Sequence, residues 1–310
     1  MATTKKSKKK ILKAIGQHQL INLALKQNQK KLHAQFPNIK YLNDSLILVN
    51  DKHQHVLGIF LKDHNKINIP KTIPVKLPGN KIRNVKTDVV CGLGEIKITS
   101  GMDGAVAHED SPKYTGSGCC VMQDDIGNNY LLTNGHVLSD GFLENQLLNT
   151  DSKQVLYDDK KIGSWYYSNM NAEGDFGLAL IENENFINTV SPEQFHNKIK
   201  SISKTDWLKL KIKVRGNKCK LKDALVIEMV SKRLSVAYKN AQSITFDEVI
   251  LVADKCDKET CLPVTQSGDS GGLAFTNDNE LIGIITACDD KFSYILPINK
   301  LLTKLNLTIL

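Results

Sequence analysis

The stretch Thr265-Gln266-Ser267-Gly268-Asp269-Ser270-Gly271-Gly272 sets a hydroxyl nucleophile, Ser270, among residues suited to a sharp backbone turn. Glycine lets the main chain approach a substrate carbonyl closely, so the amides of Gly268 and Ser270 can converge on one developing oxyanion. Ser270 attacks that same carbonyl, and the chemistry is acyl transfer. A serine hydroxyl is a weak nucleophile at neutral pH and needs a base. His136 is the candidate, at the end of the apolar run Tyr130-Leu131-Leu132 and after Thr133-Asn134-Gly135. An imidazole with an ordinary pKa near 6.5 can take the serine proton and return it to a leaving amine. A carboxylate is then needed to fix the imidazole tautomer and stabilise its cation. Asp175 stands at the mouth of the run Phe176 to Ile181, where an acid is costly unless it is paired. Asp151, Asp158 and Asp159 are the alternatives, each among polar turn residues without a following apolar run.

Gly268-Asp269-Ser270-Gly271-Gly272 resembles the nucleophile segment of the chymotrypsin-like (trypsin-fold) serine proteases, and the segment around His136 is similar to that family's histidine segment. The order His136, Asp175, Ser270 is the chymotrypsin order and not that of subtilisin or the α/β-hydrolases. The resemblance covers about residues 88 to 305. It implies a mainly β, two-barrel (Greek-key) protease whose cleft lies between the barrels. His136 and Asp175 would come from the first half and Ser270 from the second. It also implies a substrate pocket from Val264, Thr265, Thr286, Ala287, Cys288 and Phe292, with Ile285 and Tyr294 nearby. Val264 matches the family's pocket-floor position, where proteases that cut after arginine or lysine carry an acid. In secreted members a freed amino terminus pairs with the aspartate before the serine, here Asp269, and this chain shows no evident activation site. Those members commonly carry a cysteine after the histidine, where this chain has Val137.

The chain has 310 residues, 41% of them hydrophobic, enough for one sizeable core or two modest ones. No run approaches the roughly 20 apolar residues of a membrane span. Met1 to Ala14 is too lysine-rich, and its apolar stretch too short, for a secretory signal. Seven cysteines, Cys91, Cys119, Cys120, Cys219, Cys256, Cys261 and Cys288, share no repeated spacing, which argues against a disulfide framework and for a reducing, cytoplasmic setting. Cys256 and Cys261 can pair or bind a metal, but no second ligand pair at zinc spacing accompanies them. The formal charge of +8 is concentrated at the start: residues 1 to 43 hold ten lysines and no acid, leaving 31 basic against 33 acidic residues beyond. Such a tail is ordinarily a solvated one, and it can also hold nucleic acid or another anionic partner weakly.

These residues need elements to position them. A lysine-rich tail over 1–17 precedes a small α/β extension over 18–85, and the protease domain occupies 86–310, with barrels at about 86–188 and 204–305. Helical spacing over His18 to Ala34 predicts one helix. Ser45 to Asn50 and Val56 to Leu61 read as a strand pair flanking a turn at Asp51 to His55. His53 and His55 sit in that turn, with no further metal ligand evident around them. Pro70, Pro74 and Pro78-Gly79 mark extended segments and turns before Lys86-Thr87-Asp88-Val89-Val90. This extension resembles the amino-terminal portion of non-secreted bacterial trypsin-like peptidases. Short apolar segments separated by Gly, Asn and Asp then read as two sets of strands, with a polar link over Ser191 to Ile202 and a closing helix over Ile298 to Leu305. The expected activity is that of a serine endopeptidase needing no cofactor and no metal. The alternative is a protease-like scaffold that binds peptides without turnover.

Overall fold

The computed structural model of the chain describes residues 16–49, 52–64, 68–98, 105–110, 112–143, 153–183, 185–187, 198–232, 234–254 and 261–310. These form two compact units, Met1–Leu93 and Gly94–Leu310. In the first, helix α1 (Gln17–Gln35) is followed by strands β1 (Ile39–Val49), β2 (Lys52–Leu61), β3 (Thr72–Leu77) and β4 (Lys81–Val90). The sheet order is β1-β2-β4-β3, with β2 and β4 parallel and the other pairs antiparallel. Helix α1 begins where the Gly16 amide donates to the Gln19 side chain, and it buries Ile21, Ala24, Leu25 and Leu32, which recur at helical spacing. That stripe packs with Leu42, Leu57, Ile59 and Leu61 of β1 and β2 and with Ile73, Val75 and Leu77 of β3. Strand β3 lies at the sheet edge and alternates exposed and buried positions, which is where a strand tolerates Pro74.

Two expectations change here. The turn expected over Asp51 to His55 is strand: β2 begins at Lys52 and pairs Val49 with Lys52 and Leu46 with His55. The consecutive polar residues Lys52 to His55 hid the start of that strand, because its apolar signal begins only at Val56. The boundary drawn near residue 85 falls inside β4, which needs its full length to pair with both β2 and β3.

The second unit contains β5 (Lys97–Ile98), β6 (Val106–His108), β7 (Thr115–Gly116), β8 (Val121–Gln123), β9 (Asn129–Thr133), the short helix α2 (Gly135–Leu138), β10 (Gln154–Tyr157), β11 (Lys160–Asn171) and β12 (Gly174–Ile181). It continues with β13 (Lys211–Gly216), β14 (Lys220–Ser231), β15 (Ser235–Ala237), β16 (Ser243–Thr245), β17 (Glu248–Ala253), β18 (Leu273–Thr276), β19 (Leu281–Cys288), β20 (Ser293–Pro297), helix α3 (Asn299–Leu305) and β21 (Thr308–Ile309). One sheet runs β21-β8-β9-β12-β11-β10-β6-β7 around a core that includes Val121, Leu131, Trp165 and Ala179. The other runs β18-β13-β14-β17-β20-β19-β5, and the β18–β19 pairing closes six of its strands into a barrel. The fold is therefore mainly β, of the two-barrel class, with a small α/β extension. Most of the polar link over Ser191 to Ile202 lies outside the described residues, as does the start of the lysine-rich tail.

Candidate active site

Strand β9 delivers the histidine and β12 the aspartate, and their pairing sets the distance between them. Gly177 of β12 lies opposite Thr133, the last residue of β9. The chain then turns into α2, so His136 sits in a helical turn just past the strand and not on the strand itself. Asp175, two residues before Gly177, faces it. Its Oδ1 accepts the His136 amide at 3.1 Å and its Oδ2 lies 2.5 Å from His136 Nδ1. This fixes both the main chain and the ring of the histidine.

The opposite ring nitrogen, His136 Nε2, lies 2.9 Å from Ser270 Oγ. Ser270 Oγ also lies 2.9 Å from the Thr286 carbonyl. One hydroxyl proton cannot serve both acceptors. With a neutral ring protonated at Nδ1, the hydroxyl donates to Nε2, and with an imidazolium, Nε2–H donates to Oγ and the hydroxyl proton turns to Thr286. The arrangement accommodates both protonation states without moving a heavy atom. All three side chains are buried, each residue at 0% exposure. Low-dielectric surroundings strengthen their mutual interaction and raise the cost of breaking it.

The serine lies in a turn that the first sheet grips. Gly268 and Gly271 have φ of 99° and 88°, the left-handed region that a residue with a Cβ avoids. At Gly271 a Cβ would come within 2.0 Å of the Ser117 carbonyl oxygen. Ser117 donates its hydroxyl to the Gly268 carbonyl at 2.9 Å, accepts the Asn217 amide at 2.7 Å, and donates its own amide to the Ser270 carbonyl at 2.5 Å. On the other side, Gly271 N–H donates to Ile285 and Ile285 N–H to Gly272, tying the turn to β19.

Asp269 is satisfied within the chain. Its Oδ1 accepts the amides of Lys218 and Cys219 at 2.7 and 2.9 Å, and its Oδ2 accepts the Gln266 amide at 2.9 Å. Both carboxylate oxygens of Asp269 are thus held by main-chain amides of this chain. Beside it, burial and the Asp269 charge push the Cys219 thiol up to about 12, so it stays protonated.

Sequence reasoning missed Tyr238. Its hydroxyl donates to Asp175 Oδ2 at 2.9 Å, and its ring meets that of His136 edge-on at 6.1 Å. Burial, reinforced by the Asp175 charge, holds the phenol well above its ordinary value and so keeps it a donor. Tyr238 directly follows β15, far in sequence from Asp175, and no local pattern marks it. Asn134 was also missed: its amide bridges the Asp175 carbonyl at 2.7 Å and Thr286 Oγ1 at 3.0 Å.

Around the expected substrate pocket, Val264, Thr265, Ala287 and Phe292 are buried and Cys288 is half-buried. The amides of Val264 and Thr265 both donate to Ser293 Oγ at 3.0 Å. Thr286 turns its hydroxyl to Asn134 and presents its carbonyl to Ser270. Asp289 and Asp290 are the rival sources of negative charge for a basic substrate; Asp290 is exposed, and Asp289 is committed to its own turn. Its Oδ1 accepts the amides of Lys291 and Phe292 at 2.9 Å, and its Oδ2 accepts the Tyr294 hydroxyl. Burial and the Asp289 charge push the Cys288 thiol up to about 12. Cys119, Cys120, Cys219 and Cys288 are free thiols, and Cys256 lies outside the described residues.

No family model matches the chain, and no curated protein matches it. Among solved structures the chain is similar to a glutamic acid specific serine protease, at 15% identity and a TM-score of 0.45 over 67% of this chain and 98% of that one. It is also similar to Nocardiopsis protease, at 13% identity and a TM-score of 0.41 over 67% and 98% of the two chains. Thermobifida fusca protease A gives 15% identity and a TM-score of 0.42 over 68% and 97%.

Proposed function

We propose that the protein is a serine endopeptidase working through an acyl-enzyme. The observation that carries this is the unbroken sequence of contacts Asp175 Oδ2 to His136 Nδ1 at 2.5 Å and His136 Nε2 to Ser270 Oγ at 2.9 Å. A serine, an imidazole and an acid from three distant segments meet in the order that nucleophilic catalysis requires. Ser270 attacks the scissile carbonyl as His136 takes its proton; Asp175 holds the ring and stabilises the imidazolium. The Gly268 and Ser270 amides stabilise the tetrahedral oxyanion. His136 then gives its proton to the leaving amine, and water enters by the reverse sequence. The internal satisfaction of Asp269 supports an enzyme active without processing. The free thiols Cys119, Cys120, Cys219 and Cys288 fit a cytoplasmic setting.

The 0% exposure of Ser270 favours a second reading, a protease-like scaffold that binds peptides without turnover. An alkyl fluorophosphonate separates the two, because it forms a stable bond only with an activated serine that solvent-borne reagents reach. Labelling of the full chain at Ser270, lost in Ser270→Ala, supports the endopeptidase. A folded protein that stays unlabelled supports the scaffold.

A further inference from the structure

We propose that His18, Asp44 and His55 form a divalent transition-metal site, best suited to zinc, which pins helix α1 to the β1–β2 hairpin. Each residue offers one ligand atom, and these atoms all lie within 4.8 Å of one another. Leu46 lies opposite His55 and Leu57 opposite Asp44, so Asp44 and His55 share one sheet face as diagonal neighbours. That face carries Leu42, Leu57 and Ile59 against α1. His18, in the first turn of α1, closes the cluster from above. The three ligands thus come from three elements, α1, β1 and β2.

Asp44 is the fixed point. Its side chain is 5% exposed, and its two oxygens face two different imidazoles: Oδ1 lies 2.8 Å from His55 Nδ1, and Oδ2 meets His18 Nδ1. His55 is 21% and His18 47% exposed, so the ring with the most freedom is the one on the open side. Two imidazoles and one carboxylate are a donor set for zinc and its first-row neighbours, and a poor one for calcium or magnesium. Tetrahedral zinc with ligands about 2.1 Å away holds its donor atoms roughly 3.4 Å apart. The cluster therefore needs a shift of about an ångström, which His18 can supply, and water completes the coordination.

Coordination through Nδ1 places each ring proton on Nε2. For His18 that nitrogen already lies 3.0 Å from the Asn22 side-chain amide, and turning the amide over presents its oxygen as the acceptor. The positive end of α1 opposes a cation here, and the full charge of Asp44 outweighs it. A modest affinity follows, in the micromolar range and not that of a closed structural site.

The test uses the chelator-stripped full chain with zinc or cobalt(II) as the only added ligand. One equivalent should bind by calorimetry with a dissociation constant in the micromolar range, and zinc should raise Tm. Cobalt should give visible d–d bands without thiolate charge transfer, which separates this site from the cysteines. His18→Ala, on the exposed ring, should weaken binding at least tenfold and abolish the Tm response while leaving the apo protein folded. His55→Ala and Asp44→Asn should do the same. Failure of the full chain to bind an equivalent, a thiolate spectrum, or unchanged binding in His18→Ala and His55→Ala would overturn the site.

Discussion

In the proposed endopeptidase, Tyr238 is a residue outside the triad on which Asp175 depends. Asp175 accepts three donors, the His136 amide, His136 Nδ1–H and the Tyr238 hydroxyl, and only the last is removable without touching the histidine. Tyr238→Phe keeps the ring and its edge-on packing but leaves a buried carboxylate one donor short. Hydrogen bonds to charged groups contribute about 1.5 to 3 kcal/mol, so kcat/KM should fall about tenfold to a hundredfold while the fold is kept. Steady-state kinetics on a peptide substrate check this, and unchanged kinetics would remove Tyr238 from the account. Substrate preference is also decided at this scale. Val264 offers no charge, and Asp289 is satisfied by Lys291, Phe292 and Tyr294. An unpaired basic side chain there would cost several kcal/mol, whereas an apolar one gains about 1.5 to 3 kcal/mol. A positional-scanning library should show small or medium uncharged residues on the amino side of the cut bond, and a preference for arginine or lysine would refute the pocket.

At the scale of elements, legibility followed how local each determinant is. The turn around Ser270, the run before His136 and the run after Asp175 each carry their signal within about ten residues, and the structure brings all three together. Helix α1 was readable because its buried positions follow one period. The first half of β2 was not, since it is polar and its partner decides its state. Strands as short as β7, with two residues, are defined by pairing and not by composition. Two of the three donors to Asp269 were equally hidden, being main-chain amides of the β13–β14 turn that any sequence carries. His108 at the end of β6 gives a testable consequence of such packing. Burial, its largest influence, holds its pKa below 6.5, aided by Lys153 and opposed by Asp110, Glu109 and Asp140. Its Nδ1 accepts the Asp110 amide at 3.2 Å, which requires the unprotonated nitrogen. Below pH 6.5 the unfolded chain takes up a proton that the folded one refuses until its lower pKa is reached. Stability should therefore fall with falling pH through that window, and the slope should be shallower in His108→Phe. Identical slopes in denaturant melts would contradict this.

For the whole molecule, the charge is the least evenly distributed property. Ten lysines and no acid lie in residues 1 to 43. We propose that this segment holds an anionic partner such as nucleic acid weakly and takes no part in hydrolysis. Deletion of residues 1–15 should leave kcat/KM unchanged and lower retention on heparin, with the full chain eluting at moderate salt. Equal elution of both proteins would remove the proposal. The central claim is that Ser270, His136 and Asp175 act as one unit across the two halves of the protease domain, and a mutant cycle tests it most directly. Ser270→Ala and His136→Ala, confirmed as folded, should each lower kcat on the order of a millionfold, and the double variant should lose little more. Losses that add, or a Ser270→Ala protein that still turns over at the parent rate, would contradict it.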